Sequence, residues 1–513
     1  MKILFSMRHS GALRNFASTV EALAGRGHRI HLVFMRPDKL GESHVLRDLA
    51  STYPAITHEE MRGKPDGRWS EFARTVRSVG DYARYRAPAY RDAAALRERA
   101  ARQLTDAGKR LAGLPLLRSR AAVGPTARLL HSIERAIPAD PRVVDFVRAQ
   151  QPDVVLVTPL VDFGSGQEEY LKAARTLGIP SGLCVHSWDN LTNKGLIHVR
   201  PDRVFVWNDA QVREAVTMHG LAAADVVATG APCYDQWFGR RPSTSRDAFC
   251  RKVGLTSGKP ILLYLCSSQF IAPREADFVK RWIEAVRAAS DPRVREASIL
   301  VRPHPRNDMS RWKRFDLSSF GDVVLWPEAA ANPVDDGSRN DYFDSLHHAA
   351  AAVGINTSAL IEAGIAGRQV YSIRAPEYVT TQEGTLHFHY LLAEHGGLLH
   401  MASTLEEHTR ILAAAFERSE ADDRRLRAFI GAFVRPHGLD VAATPLLAEA
   451  IERLGELHAA PSADAGVWAR VLRRLLRPVA VRMRVERDDR GPTGVPPRAR
   501  HDERLDKKGE WVH

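Results

Sequence analysis

The sequence predicts an α/β protein of two doubly wound parallel-sheet domains facing a cleft, with a helical insert in the first and a basic tail after the second. Three observations predict it. Strand-like apolar runs alternate with helical stretches, and the alternation restarts at Pro260–Cys266 after a break near 231–258. The 513 residues are too many for one small module. The composition, 44% hydrophobic and 26% charged, is ordinary globular usage and excludes disordered, fibrous and collagen-like chains.

Residues 2–7 read as a buried strand. A short loop leads to a helix from about Asn15 to Arg26, Gly27 breaks it, and Ile30–Phe34 is the next strand, a βαβ opening. Residues 68–135 carry few strand signals, and stretches rich in Ala, Arg and Leu such as Tyr90–Leu111 read as helices of a basic insert over about 61–150. The rhythm resumes with strand Asp153–Thr158, helix Gln167–Leu177, strands Ser181–His186 and Arg203–Trp207, helix Ala210–His219 and strand Val226–Thr229. The second series is strand Pro260–Cys266, helix Glu275–Ala289, strands Ser298–Arg302 and Val323–Trp326, helix Tyr342–Ala352, strand Ala352–Gly354, helix Ser358–Ala366 and strand Gln369–Ile373. Helices Leu405–Ser419 and Asp422–Val434 follow. The expected division is 1–235 for the first domain, 245–440 for the second, 441–460 for a closing helix and 461–513 for the tail. Crevices at the strand C-termini then face each other.

Charge is uneven. The net +12 concentrates in the insert, with 19 Lys and Arg against nine Asp and Glu, and in 466–513, with 13 against seven. Basic segments on a mildly acidic body suit polyanionic substrates or acidic lipid. In the tail, Trp468, Val471, Leu472, Leu475, Leu476 and Val479 follow one helical stripe, with most arginines on the other face and a break at Pro478. Such a helix suits an anionic membrane surface; Arg487–His513 reads as disordered. No apolar run approaches the roughly 20 residues of a membrane span, and the opening run breaks at Arg8, too soon for a secretory signal. The four cysteines, Cys184, Cys233, Cys250 and Cys266, have neither zinc nor disulfide-framework spacing, which favours a reducing compartment. The expected location is the cytoplasm, with peripheral attachment to the inner face of the plasma membrane. Nucleic acid is disfavoured: the basic insert lacks a recognition motif and interleaved aromatics.

Five stretches carry candidate chemistry. In the first, Met7–Phe16, His9 follows the first strand as a candidate base, and Arg14 and Asn15 are candidate substrate contacts. In the second, after the strand at 181–186, Asp189 is the alternative base, Asn190 a polar contact and Trp188 an apolar face for a sugar ring; an ordinary capped turn is the competing reading. In the third, Leu300–Asn307, Arg302, His304 and Arg306 crowd a strand end, and prolines stiffen the loop into a cationic nest for phosphate. In the fourth, Asn356, Thr357 and Ser358 open a helix where amides and hydroxyls can meet an anion, and Glu362 one turn on can accept from ribose hydroxyls. In the fifth, Gln382–Tyr390, Glu383 and His387 are candidate substrate contacts; His387 and His389 alternate, but without a third ligand at useful spacing a metal is not expected. The absence of GxGxxG, GxxxxGK[ST], GxSxG and HExxH argues against dinucleotide enzymes, P-loop ATPases, α/β-hydrolases and zincins.

The first, third and fourth stretches together resemble glycosyltransferases of the two-Rossmann GT-B fold. Arg302–Arg306 resembles the His-Pro motif of bacterial sialyltransferase-like and capsule Kdo-transferase-like families. Asn356-Thr357-Ser358 with Glu362 is similar to the serine-rich motif that follows it, and CDP-glycerol glycerophosphotransferases of teichoic acid synthesis are similar in this half. The likeness spans most of 1–440, excluding the insert; the Ser187–Asn190 loop departs from it. It implies a cofactor-free, metal-independent transferase that moves a sugar from a nucleotide-activated donor to a hydroxyl of a cell-surface polysaccharide or lipid-linked acceptor. His304 would bind the phosphate, Arg302 or Arg306 would neutralise the leaving group, and His9 or Asp189 would deprotonate the acceptor. A glycerophosphotransferase, a nucleotide-sugar 2-epimerase and a non-catalytic polysaccharide-binding scaffold are the alternatives.

Overall fold

Two parallel sheets organise the chain. The computed structural model describes residues 1–36, 43–61, 67–114, 123–305, 307, 309–312, 314–315, 317–330, 332–394, 396–417, 419–458 and 466–488. The first sheet contains β1 (Lys2–Met7), β2 (Arg29–Phe34), β3 (Ile56–Glu60), β4 (Val154–Thr158), β5 (Ser181–Cys184), β6 (Arg203–Val206) and β7 (Val226–Ala228), in the order β3-β2-β1-β4-β5-β6-β7. The second contains β8 (Ile261–Leu265), β9 (Ser298–Arg302), β10 (Val323–Leu325), β11 (Ala351–Val353), β12 (Gln369–Ile373) and β13 (Leu399–Ala402), in the order β10-β9-β8-β11-β12-β13. Helices cover both faces, so central strands such as β4 and β8 are buried throughout and read as unbroken apolar runs. The strand order reverses between β1 and β4 and between β8 and β11, and a crevice opens at each reversal.

Several elements differ from expectation. β3 and β13 carry no clear strand signal: β3 is an edge strand with most of its residues outside the core, and β13 has four residues. The opening helix is a 3₁₀ turn, Ser10–Asn15, followed by helix Ala17–Gly25. Asp335 caps the helix Asp336–His348, starting it earlier than its apolar pattern shows. The His387/His389 stretch is the 3₁₀ helix Leu386–Leu391.

Helix Ala443–Gly455 returns to the first sheet, where Leu447, Ile451 and Leu454 share a core with Ile3, Phe5 and Leu156. The Asp235 carboxylate accepts from Arg435 Nη2 at 2.7 Å and from the Thr444 amide at 2.7 Å, fastening the crossing between halves. Gly230, at φ +86°, is required here: a Cβ would lie 2.7 Å from that of Ala443.

The insert helices Ser70–Arg84, Ala94–Ala101, Asp106–Ala112, Val123–Ala136 and Pro141–Gln150 fall between β3 and β4. They grip the loop after β5. Arg84 donates to the carbonyls of Leu191 and Gly195, and Arg99 to that of Asn193. The tail forms a helix, Val467–Asp488, which includes Pro478 and extends past Arg487; 489–513 lie outside the described residues. It packs on the insert through Ala480, Leu476 and Met483, and Arg473 Nε donates to Ala136 O at 2.9 Å. The predicted stripe is therefore divided. Leu472 and Leu476 are half-buried, while Trp468 (82% exposed), Val471, Leu475 (68%) and Val479 face solvent. Among the described residues no helix is long and apolar enough to cross a membrane.

Candidate functional site

The C-terminal ends of both sheets meet around a cavity of about 500 Å³. All five candidate stretches reach it. Arg14, Asn15, Trp188 and Asp189 come from the first half, and Arg302, His304, Asn356, Thr357, Ser358, Glu362 and His387 from the second. The convergence follows from topology: each stretch except the 382–390 loop leaves the C-terminal end of a parallel strand.

Asp189 is the central carboxylate. Its Oδ1 accepts from Ser187 Oγ at 2.6 Å. Burial alone would raise it, but Lys194, His387, the Ser187 hydroxyl and His186 outweigh burial and hold it below the ordinary carboxylate value. Burial lowers His186 and His387 to about 4, against the pull of nearby carboxylates, so both are neutral at pH 7. Lys194, which belongs to none of the candidate residues above, lines the cavity and pairs with Asp162 at 3.2 Å; Asp162 also pairs with Arg8 at 2.5 Å. A lysine in a polar loop reads as solvated, and its partner 32 positions upstream gives no local signal.

On the facing wall, the Arg302 guanidinium is buried, 3.4 Å from Asp341, 2.7 Å from Ser345 Oγ and over the Tyr342 ring. Part of its donor capacity is thus used within the protein, and its charge reaches the cavity tempered by Asp341. Half-buried His304 is held through its backbone: its amide donates to Asn307 Oδ1 at 2.6 Å, and the Asn307 amide donates back to His304 O at 2.8 Å. Thr357 and Ser358 stand at the start of helix Ala359–Ile365.

Glu362 is half-buried in the cavity wall and accepts from Tyr342 OH. Burial raises it to about 7, although the Tyr342 hydrogen bond and the charge of Arg14 act downward. A carboxyl raised in the folded state contributes stability that is present below its unfolded pKa, near 4.5, and is lost as pH rises through about 7. Glu362→Gln is therefore expected to flatten the stability profile across that window and to gain relative to the wild type above it. Urea unfolding at a series of pH values measures this; parallel profiles for the two proteins would contradict it.

Some expected roles change. Trp188 is 3% exposed, meets His387 edge-on at 4.5 Å and donates Nε1–H to Ser358 Oγ at 3.0 Å. It ties the halves together rather than offering an open face to a sugar ring. Asn356 donates to Thr381 O at 3.0 Å and Thr385 Oγ1 at 3.3 Å, anchoring the 381–385 loop. His9 stands at the residue before the first 3₁₀ turn, with no side-chain capping bond to it, outside the cavity lining. Asn190 is buried behind Asp189, and Glu383 pairs with Arg374 at 2.6 Å; neither lines the cavity. Arg306 lies outside the described residues. Among the described residues no three His, Cys, Asp or Glu side chains gather as a metal site.

No protein-family model matches the chain, and no curated protein matches it. Solved structures do. The UDP-GlcNAc 2-epimerase from Methanocaldococcus jannaschii aligns at TM-score 0.51 and 10% identity, covering 88% of this chain and 100% of that one. The S. aureus MnaA–UDP co-structure aligns at 0.50 and 13% identity, covering 91% and 100%. A glycosyltransferase from Rickettsia africae aligns at 0.49 and 10%, covering 89% and 99%. The fold is GT-B. At these identities the likeness concerns the fold alone. Within that GT-B frame, the cavity occupies the cleft between the two Rossmann-like halves, with Asp189 on one wall and His304 on the other.

Proposed function

We propose that this GT-B protein is a metal-independent glycosyltransferase that moves a sugar from a nucleotide-activated donor to an acceptor hydroxyl of a polysaccharide or lipid-linked glycan. One observation carries the reading: a single cavity gathers His304, Thr357, Ser358 and the Arg302 charge, groups suited to a phosphate, opposite the Asp189 carboxylate on the other half. The donor phosphates rest on the second half. Positive charge and hydroxyl donors aimed at the leaving nucleotide stabilise the charge that develops there, and this stabilisation outweighs base catalysis in such transfers. Asp189 accepts the proton of the incoming hydroxyl. It replaces His9 as the preferred base because it lies in the cavity. The UDP bound in the S. aureus neighbour supports a nucleotide ligand.

The UDP-GlcNAc 2-epimerase neighbour supports a second reading, in which one nucleotide sugar becomes its C2 epimer without an acceptor. Incubation with nucleotide sugars separates the two. Transfer releases nucleotide in proportion to acceptor, whereas a C2-epimeric nucleotide sugar formed without acceptor would overturn the transferase reading.

The tail supports peripheral attachment to an anionic membrane. Trp468, Val471, Leu475 and Val479 face solvent beside the exposed arginines Arg470, Arg474 and Arg477. Each basic residue near such a surface contributes about 1 kcal/mol, reduced by salt. The full chain is expected to co-sediment with anionic but not neutral vesicles at low salt, and a chain ending near Ala460 to remain in the supernatant. Equal binding by both chains would contradict this.

A further inference from the structure

We propose that a second cavity, of about 870 Å³, between the insert and the first sheet binds an acidic saccharide, hydroxyl-rich and carrying a carboxylate or phosphate. As an acceptor site it rests on the glycosyl-transfer reading above; as a binding site it stands independently. The cavity exists because of the parts added to the Rossmann-like frame. Insert residues such as Trp69, Arg77 and Leu104 form one side, the loop after β4 forms another, and Arg484 reaches in from the tail helix.

Its chemistry is that of a sugar site. In the wall, Glu168 is 4% exposed, and its Oε2 accepts no hydrogen bond from any protein group, although it lies 3.5 Å from Arg77 Nη1. Arg77 is committed elsewhere: it donates to Glu134 at 2.7 Å and to Glu169 at 2.9 Å. A buried carboxylate oxygen left without a donor is matched by a ligand O–H. Trp69, Leu104, Ile137 and Phe163 add apolar surface suited to the C–H face of a sugar ring. Arg36 and Arg68 are exposed, and Arg484 half-exposed, among the lining residues, so the approach from solvent is cationic.

The cavity is also placed to supply the cleft. Asp162 lines it and pairs with Lys194, which lines the cleft. Phe163 lines it and lies under the Arg99 guanidinium, whose second aromatic contact, Phe270, lines the cleft. One layer of side chains, an ion pair and a cation–π stack, separates the two spaces.

Saturation-transfer NMR with glucose, glucuronate and glucose 6-phosphate tests the proposal, with UDP present to occupy the cleft and again in His304→Ala. We expect glucuronate or glucose 6-phosphate to bind about tenfold more tightly than glucose, the worth of one good charge-assisted hydrogen bond. The tighter of the two acids identifies carboxylate or phosphate as the recognised anion. Arg68→Glu, a surface change, should erase the preference for the acids, and Glu168→Gln should weaken all three probes. Absence of binding by every probe, equal binding of glucose and the acids, or binding unchanged in both variants would overturn the proposal. Saccharide binding that persists where no nucleotide binds would leave this cavity standing and remove the donor reading; nucleotide binding without saccharide binding would do the reverse.

Discussion

Asp189→Asn is expected to lower kcat by about 10²–10⁴-fold while nucleotide affinity changes little. The substitution keeps the shape of the side chain and its place beside Ser187, and it removes the charge that lets Asp189 accept a proton. Lys194, His387 and the Ser187 hydroxyl overcome the burial that would otherwise favour the neutral acid, so the carboxylate is available across the neutral range. The wall proposed to hold the phosphates lies on the other half and should be undisturbed. Steady-state kinetics alongside nucleotide titration measure both quantities. A variant with near-normal turnover would move the base elsewhere, with His9 next to be tested.

His304→Ala is expected to abolish measurable transfer and weaken donor binding by about 10- to 100-fold, the range for losing a hydrogen bond to a charged group. His304 is half-buried and its loop is held by backbone contacts with Asn307, so stability should change by less than about 1 kcal/mol. Activity of the wild type should persist in excess EDTA, because side chains of the second half supply the positive charge. Normal turnover by His304→Ala, or loss of wild-type activity in EDTA restored by Mg²⁺ or Mn²⁺, would contradict this assignment of the phosphate site.

The sequence showed the frame of the fold where physics is local. A parallel strand buried on both faces must be an unbroken apolar run, so β4, β8 and β9 were readable, and the polar stretches after β1, β5, β9 and β11 marked the cleft. β3 was not readable because an edge strand meets the core on one side only and tolerates Thr57, His58, Glu59 and Glu60. Candidate residues could be located but not assigned their partners. Nothing near Arg302 announces Asp341 and Ser345, about 40 positions away, and nothing near Trp188 announces Ser358. Those contacts make Trp188 a tie between halves and leave Arg302 only partly available to a ligand. The tail shows the same limit: its apolar stripe was visible, but which edge of it would dock on the insert depends on Phe72, Val76 and Ile137, far upstream.

The central claim is that the cleft holds a nucleotide on the His304 wall. Thermal unfolding with UDP, CMP, CDP, GDP and TDP tests it most directly, since a ligand that binds the native state stabilises it by RT ln(1 + [L]/Kd). One nucleotide base should raise Tm in the wild type, equally in Asp189→Asn, and far less in His304→Ala. No shift with any nucleotide, or a shift that His304→Ala leaves intact, would contradict the account.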